Sequence, residues 1–258
     1  MRQSNSSEVK KGKSSPLGVG GAMIFAAGLG TRFKPWTDKH PKALAIINGK
    51  PLLQHNIEYL QQYGITNVVV NVHHFSNQVI NAIEEKKGWG STVLISDEKN
   101  EVLETGGGLL KARALLGNET FITINVDILT SLDLSKLITF HKYEKALITL
   151  CVAERNTSRF LLFNKNNRLC GWRNIRGEEK IEKVVVPDGN LVQKAYSGVA
   201  VFEAEVLELI PFEGKFSLID VFLHLAATHK VIGYDHTGDK WLDVGKPEMV
   251  AVAEQMFS

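Results

Sequence analysis

The chain has 258 residues, 44% hydrophobic and 22% charged, a composition that suits a globular protein with a sizeable core. Its formal net charge of +2 is uneven: residues 1–20 carry Arg2, Lys10, Lys11 and Lys13 against Glu8, and the remainder holds 26 basic against 27 acidic side chains. That balance excludes a general nucleic-acid surface, which needs a basic face, and no apolar run is long enough to span a bilayer. Residues 1–20 are polar and Ser/Lys-rich, and they read as a disordered extension or an expression remnant. The Lys-rich start followed by "GVGGAMIFAAGLG" has the outline of a signal peptide. Its apolar part is short, glycine-rich and followed at once by Arg32 and Lys34, so the expected location is cytoplasmic. Cys151 and Cys170 lack metal-ligand and disulfide-framework spacing and read as buried free thiols.

From Ala22 onward, strand and helix patterns alternate. "AMIFA" predicts a strand, "LLQHNIEYLQQYG" an amphipathic helix with Gly64 as its C′ residue, and "NVVVNV" a second strand. "QVINAIEEKKG", "TVLIS", "GGLLKARALLG" and "FITINVD" continue as helix, strand, helix and strand, followed by "LSKLITFHKYE" and "ALITLCVA". The βα rhythm with β-branched strands implies an α/β protein with a mostly parallel, Rossmann-like mixed sheet covered on both faces. Beyond residue 155 the pattern changes. "FLLFNKNNRLCGW" predicts a hairpin turning at its Asn pair, and "YSGVAVF" a further strand. Two helices, "SLIDVFLHLAATH" and "KPEMVAVAEQMF", flank the strand "KVIGY". The expected organisation is one domain over 21–258, with a first half at about 21–150 and a smaller lobe at about 151–258.

The stretch Ala26 to Leu44, "AAGLGTRFKPWTDKHPKAL", follows the first strand and combines glycines with clustered cations. A dinucleotide fingerprint fits Gly28 and Gly30, but its third place holds Phe33, and no Walker-type run exists. Glycines without Cβ let backbone N–H groups approach phosphate oxygens; Arg32 adds a fork-shaped contact and Lys42 a point charge. On composition alone, a plain glycine turn among solvated cations remains open.

The full spacing narrows the choice. Gly28, Gly30, Thr31, Arg32, Pro35, Thr37, Pro41 and Lys42 match G-x-G-[ST]-R-x-x-P-x-T-x-x-x-P-K, so the chain resembles the sugar-1-phosphate nucleotidyltransferases. The resemblance runs from Ala22 nearly to the C-terminus. It implies a GT-A-like nucleotidyltransferase fold with a smaller sugar-binding lobe. It also implies transfer of a nucleoside monophosphate from UTP or GTP to a hexose-1-phosphate, with release of pyrophosphate. Arg32 and Lys42 are then the catalytic cations on the triphosphate, and Ala27, Gly28, Gly30 and Thr31 form the nucleotide loop. Mg²⁺ is the implied cofactor, with Asp127 after "FITINV" and Asp243 in "KWLDVG" as its two ligands; hard oxygen donors suit that ion.

The same resemblance places Ser96, Thr105, Gly106 and Gly107 against the base, although a glycine triplet also suits tight helix packing. Glu98 or Glu104 would supply the acceptor that guanine requires. For the sugar it implies Ser197, Gly198 and, on a weaker match, Asp220. The family's Glu-Lys-Pro tripeptide, whose lysine grips the sugar phosphate, is missing here, which leaves Lys180 and Lys183 in doubt. "ETGGG" is closest to the branch that makes UDP-N-acetylmuramate; the branch that makes GDP-mannose has related segments. A catalytically silent sugar-nucleotide-binding protein is a third reading, set against the presence of all four charged site residues. His73 and His74 point to opposite faces of an extended segment and make a poor metal pair. Trp172 and Trp241 read as core or pocket-wall aromatics.

Overall fold

Strand Gly21–Phe25 (β1) is buried along its whole length, and its alternate side chains enter two different cores. Ala22 and Ile24 join one apolar cluster, while Met23 and Phe25 join the other. The computed structural model describes residues 14–258. After β1 come the ribbon Ile46–Ile47 (β2) and Lys50–Pro51 (β3), helix Leu52–Gln61 (α1), Asn67–Val72 (β4), Ser76–Glu85 (α2) and Thr92–Asp97 (β5). Helices Glu104–Lys111 (α3) and Arg113–Leu116 (α4) precede Phe121–Asn125 (β6), Ile128–Thr130 (β7), Leu134–Glu144 (α5) and Ile148–Ala153 (β8). The second half adds Arg159–Phe163 (β9), Leu169–Arg176 (β10), Glu179–Val184 (β11) and the long Val192–Phe202 (β12). It ends with Val206–Leu209 (α6), Leu218–Ala226 (α7), Val231–Asp235 (β13), Trp241–Asp243 (β14) and Met249–Met256 (α8).

Ten strands form one mixed sheet along the path β11-β10-β9-β12-β6-β1-β4-β5, with β8 paired to β12 and β13 to β8. Strands β6, β1, β4 and β5 are parallel, as the βα rhythm predicts. β12 runs antiparallel to β6, β8 and β9, so the sheet changes character at the start of the second lobe. The hairpin expected at the Asn pair is β9–β10. On one face of the sheet, α1, α2, α5 and α8 bury Ile57, Val79, Leu137 and Ala253 with Val68, Val70 and Ile124. On the other, Leu109 of α3 and Phe222 of α7 pack with Phe121 and Phe202, whose rings stack at 5.2 Å. Each such side chain stabilises the fold by roughly 1.5–3 kcal/mol.

The boundary of the N-terminal segment differs from the sequence reading. Of the extension expected over 1–20, residues 1–13 lie outside the described residues, whereas Ser14 to Gly20 pack on the body. Val19 enters the core, Ser14 Oγ donates to Glu119, and Gly20 N donates to Thr120 O. The second half packs on the first sheet. Val244 and Ala253 share a core with Val68, so the chain end returns to the first half. Gly64 closes α1 as expected, with Ile65 N bonded to Leu60 O at 3.1 Å and Gly64 N to Gln61 O at 2.9 Å. Cys151 and Cys170 are both buried free thiols. No helix among the described residues is long and apolar enough to cross a membrane.

Candidate active site

The glycine loop leaves the carboxyl end of β1 and is pinned at both ends. Ala26 N donates to Asn71 Oδ1 on β4 at 2.8 Å, and Thr37 Oγ1 donates to Gly30 O at 2.9 Å. Gly30 has φ +60°, and a Cβ there would lie 2.8 Å from Thr37 Cγ2, so both conformation and space demand glycine. A Cβ on Gly28 would meet nothing within 4 Å, because that side of the backbone opens into a cavity. Phe33 anchors the loop in the core, while Arg32 stays largely exposed.

Two cavities lie beyond the strand ends, where ligands of open α/β sheets bind. The smaller, about 250 Å³, is lined by Gly28, Gly30, Thr31 and Lys42. The larger, about 630 Å³, extends under the second lobe and is lined by Arg155, Trp172, Ser197, Gly198, Trp241 and Asp243. Arg32, Thr105, Asn125 and Asp127 line both and form their junction.

The two aspartates meet because β7 pairs with β14. Asp243 lies opposite Ile128 in that ribbon, and Val244 N donates to Asp127 O at 2.8 Å. Lys42 Nζ sits 2.5 Å from Asp127 Oδ2, and Arg32 Nη2 3.7 Å from Asp243 Oδ2. Burial pushes the Asp243 carboxyl above its usual range; Asp127 adds to the rise, and Lys42, Arg32 and Arg155 oppose it. Asp243 Oδ1 is buried without a hydrogen-bond partner. A Cβ on Gly245 would lie 2.7 Å from that oxygen and 2.9 Å from Arg32 Nη2, so only glycine leaves this cradle open. A buried, partnerless carboxylate oxygen beside a second carboxylate fits a hard divalent cation. Among the described residues no group of three or more His, Cys, Asp or Glu could hold a metal, so any further ligands would be water or substrate oxygens.

Three of the other predicted positions, Thr105, Ser197 and Gly198, also gather here. Ser197 is held by His236, whose Nε2 lies 2.7 Å from its hydroxyl, and its carbonyl accepts from Trp241 Nε1 at 2.9 Å. The register shift in β12 between Tyr196 and Ala200 turns Gly198 toward Asn125 and Ile128. Thr105 Oγ1 accepts from Leu218 N at 3.0 Å and fixes α7 against the junction.

Others stand apart. Ala27 is buried between lining residues, and Ser96 is buried on β5 beside Asn71; neither lines a cavity. Gly106 and Gly107 donate their N–H groups to Phe216 O, and their missing Cβ atoms would strike the Phe216 ring and Gly214 O. Gly106 and Gly107 thus allow close packing of α3 on the segment before α7, whereas a Cβ on Gly108 would meet Glu98 and Asn71. Asp220 lies outside both cavities. Its carboxylate accepts from Ser217 N and closes the capping box of α7, facing a separate cavity with Lys183 and His224. Glu98 is fully engaged by Asn71 Nδ2 at 2.7 Å, and burial raises its pKa although that bond opposes the rise. Glu104 is exposed and faces Lys215 at 3.6 Å.

The sequence reading missed Asn125 and Arg155. A charged "ER" pair directly after the apolar run of β8, at a carboxyl strand end, was the available signal for Arg155.

The sequence profile described as Nucleotidyl transferase matches residues 21–256. The chain belongs to the nucleotidyl transferase family. This family member is 31% identical over 237 residues to an N-acetylmuramate alpha-1-phosphate uridylyltransferase of Caulobacter vibrioides, covering 90% of this chain and 95% of the relative. It is 28% identical to mannose-1-phosphate guanyltransferase beta-B of Xenopus laevis, over 88% of this chain and 61% of that protein. Among solved structures, HddC from Yersinia pseudotuberculosis complexed with GMP-PN superposes with a TM-score of 0.73 at 25% identity, covering 92% of this chain and 99% of HddC. UDP-glucose pyrophosphorylase from Acinetobacter baumannii gives the same TM-score at 19% identity over 92% of each chain. The nucleotidyl transferase thus has the GT-A-like mixed-sheet fold of these neighbours and sugar-1-phosphate nucleotidyltransferase character.

Proposed function

We propose that this chain makes a nucleotide sugar from UTP and a hexose-1-phosphate, N-acetylmuramate-1-phosphate first among acceptors. The observation that carries this reading is the junction. One cavity offers open glycine backbone beside Lys42, the other offers polar and aromatic walls, and both reach Arg32 and Asp127. The nucleotide's phosphates lie along Gly28, Gly30 and Thr31, and the sugar lies in the larger cavity beside Ser197, Gly198 and Trp241.

An oxygen of the sugar phosphate bonds to the α-phosphorus while the bond to the β-bridging oxygen breaks, and its electron pair leaves with pyrophosphate. The protein performs no covalent step; it aligns the partners and neutralises charge. Arg32 faces the departing phosphates, and Lys42 exchanges Asp127 for an α-phosphate oxygen. Mg²⁺, held by Asp127 and Asp243, would supply charge neutralisation at the phosphates. Uracil is favoured because neither acid that could accept from guanine lines the two cavities: Glu98 is engaged by Asn71, and Glu104 faces Lys215. Two relatives at 31% and 30% identity carry the uridylyltransferase name.

GTP with mannose-1-phosphate is the second reading, supported by the mannose-1-phosphate relatives and by the GMP-PN complex of HddC. Pyrophosphate release over a grid of four nucleoside triphosphates and several hexose-1-phosphates separates the two. UTP with N-acetylmuramate-1-phosphate is expected to give the highest kcat/KM. GTP with mannose-1-phosphate exceeding it would overturn the base and sugar assignment.

A further inference from the structure

Arg155, two residues past the end of β8, is a cation in the wall of the larger cavity with no carboxylate in ion-pair range among the described residues. One terminal N–H group donates to the carbonyl of Tyr196, and the guanidinium stacks 3.8 Å from the ring centroid of Trp241. Trp241 is itself fixed through its indole N–H on Ser197 O. Arg155 Nε is buried and bonded to nothing. Burial works against its charge, and Asp243 is the carboxylate that supports it.

A half-buried guanidinium held over an indole, with a donor unpaired, is prepared for an anion. Neither Lys180 nor Lys183 supplies that charge. Both lie on the exposed strand β11, Lys180 bridges to Glu182 at 2.9 Å, and neither lines either cavity of the site. Arg155 borders only the larger cavity, whereas Lys42 borders only the smaller.

The geometry assigns Arg155 as the residue that binds the phosphate of the acceptor sugar-1-phosphate and presents it to the junction. This inference rests on the transferase reading and adds the acceptor-phosphate subsite. Trp241 and the Tyr196 carbonyl hold the guanidinium in the cavity wall, where the phosphate meets it. Because Asp243 lies in the same field, the anion is brought next to the carboxylates at the junction.

The test is steady-state kinetics of wild type, Arg155→Gln, Arg155→Lys and the double variant Lys180→Gln/Lys183→Gln. UTP is varied against N-acetylmuramate-1-phosphate and against N-acetylglucosamine-1-phosphate, which lacks a carboxylate. Arg155→Gln is expected to raise KM for both sugar phosphates by roughly 10–100-fold, with KM for UTP within about twofold. Arg155→Lys falls between, and the lysine double variant matches wild type. An unchanged sugar-phosphate KM overturns the assignment, as does an equal rise in both substrates' KM. A loss confined to the carboxylate-bearing sugar overturns it too, by moving Arg155 to that carboxylate. Should Arg155→Gln fail to fold, Arg155→Lys decides by the same KM split.

If wild type turns over no substrate pair, the transferase reading fails separately and calorimetric binding decides the role of Arg155. A wild-type preference for N-acetylglucosamine-1-phosphate over N-acetylglucosamine that Arg155→Gln loses supports the subsite. Equal binding of the two sugars by wild type overturns it.

Discussion

Lys42 Nζ and Asp127 Oδ2 lie 2.5 Å apart at the junction of two cavities, with the lysine side chain only 9% exposed. In the proposed reaction Lys42 would meet the substrate's phosphates and Asp127 would hold the metal. Lys42→Met keeps the length and removes the charge. It is expected to lower kcat/KM by about 100-fold or more. It also leaves Asp127 uncompensated, which costs roughly 3–5 kcal/mol of stability in a fully buried site and less here, where Asp127 is 22% exposed. Urea titration and pyrophosphate release measure the two effects separately.

Asp243 presents the opposite balance. Its carboxyl is desolvated, repelled by Asp127 and short of one hydrogen bond, so ionising it works against the fold. Asp243→Asn is expected to hold or raise the melting temperature of the metal-free protein while abolishing the stabilisation that added Mg²⁺ gives wild type. Thermal unfolding with and without Mg²⁺ checks this; an unchanged Mg²⁺ response in the variant would remove Asp243 from the metal site.

Two glycines give contrasting expectations. In a helix interior Gly→Ala is ordinarily favourable by about 1 kcal/mol. Gly107→Ala reverses that sign, because the new methyl meets the carbonyl oxygen of Gly214, and a loss of about 1–3 kcal/mol is expected. Gly28→Ala meets nothing within 4 Å and is expected to leave stability nearly unchanged while raising KM for the nucleoside triphosphate. Denaturation midpoints and nucleotide KM values for the two variants provide the comparison.

The pH dependence of stability follows from two interior histidines. His141 is fully buried, with Nδ1 2.8 Å from Thr149 Oγ1 and Nε2 3.0 Å from Glu203 Oε1, and His236 is buried beside Ser197. Burial holds both below the ordinary imidazole value of 6.5, although nearby carboxylates oppose the shift. The unfolded chain therefore binds more protons than the folded one below that value. The stability they contribute is present above pH 6.5 and is lost as pH falls toward the depressed folded values. The slope approaches about 1.4 kcal/mol per pH unit for each histidine. Urea unfolding at pH 7.5, 6.5 and 5.5 is expected to show this decline, and replacement of His141 by Gln should reduce it.

Much of this architecture is legible in the sequence where a local pattern has one physical solution. "NVVVNV" became β4 residue for residue, since β-branched residues on both faces suit a doubly covered parallel strand. The loop from Gly28 to Lys42 was legible through the family resemblance that its spacing carries; backbone and charge alone left a plain glycine turn open. Asp127 and Asp243 were found as separate strand-end acids, yet the β7–β14 pairing that joins them is non-local and leaves no local signature. Asp220 was ambiguous because an acid on a helix near a pocket and an acid in a capping box look alike. Its spacing from Ser217, S-x-x-D, was the signal for the second. Arg155 lies in no motif; its position over Trp241 exists only once β8 and β14 are brought together.

The central claim is nucleotidyl transfer at the junction, and ³¹P NMR of the reaction tests it most directly. UTP, N-acetylmuramate-1-phosphate and Mg²⁺ are followed with wild type and with Asp127→Asn. The account predicts pyrophosphate and a diphosphate-linked nucleotide sugar appearing in equal amounts, only when both substrates are present, and absent with the variant. Cleavage of the triphosphate without the sugar phosphate, or full turnover by Asp127→Asn, would contradict it.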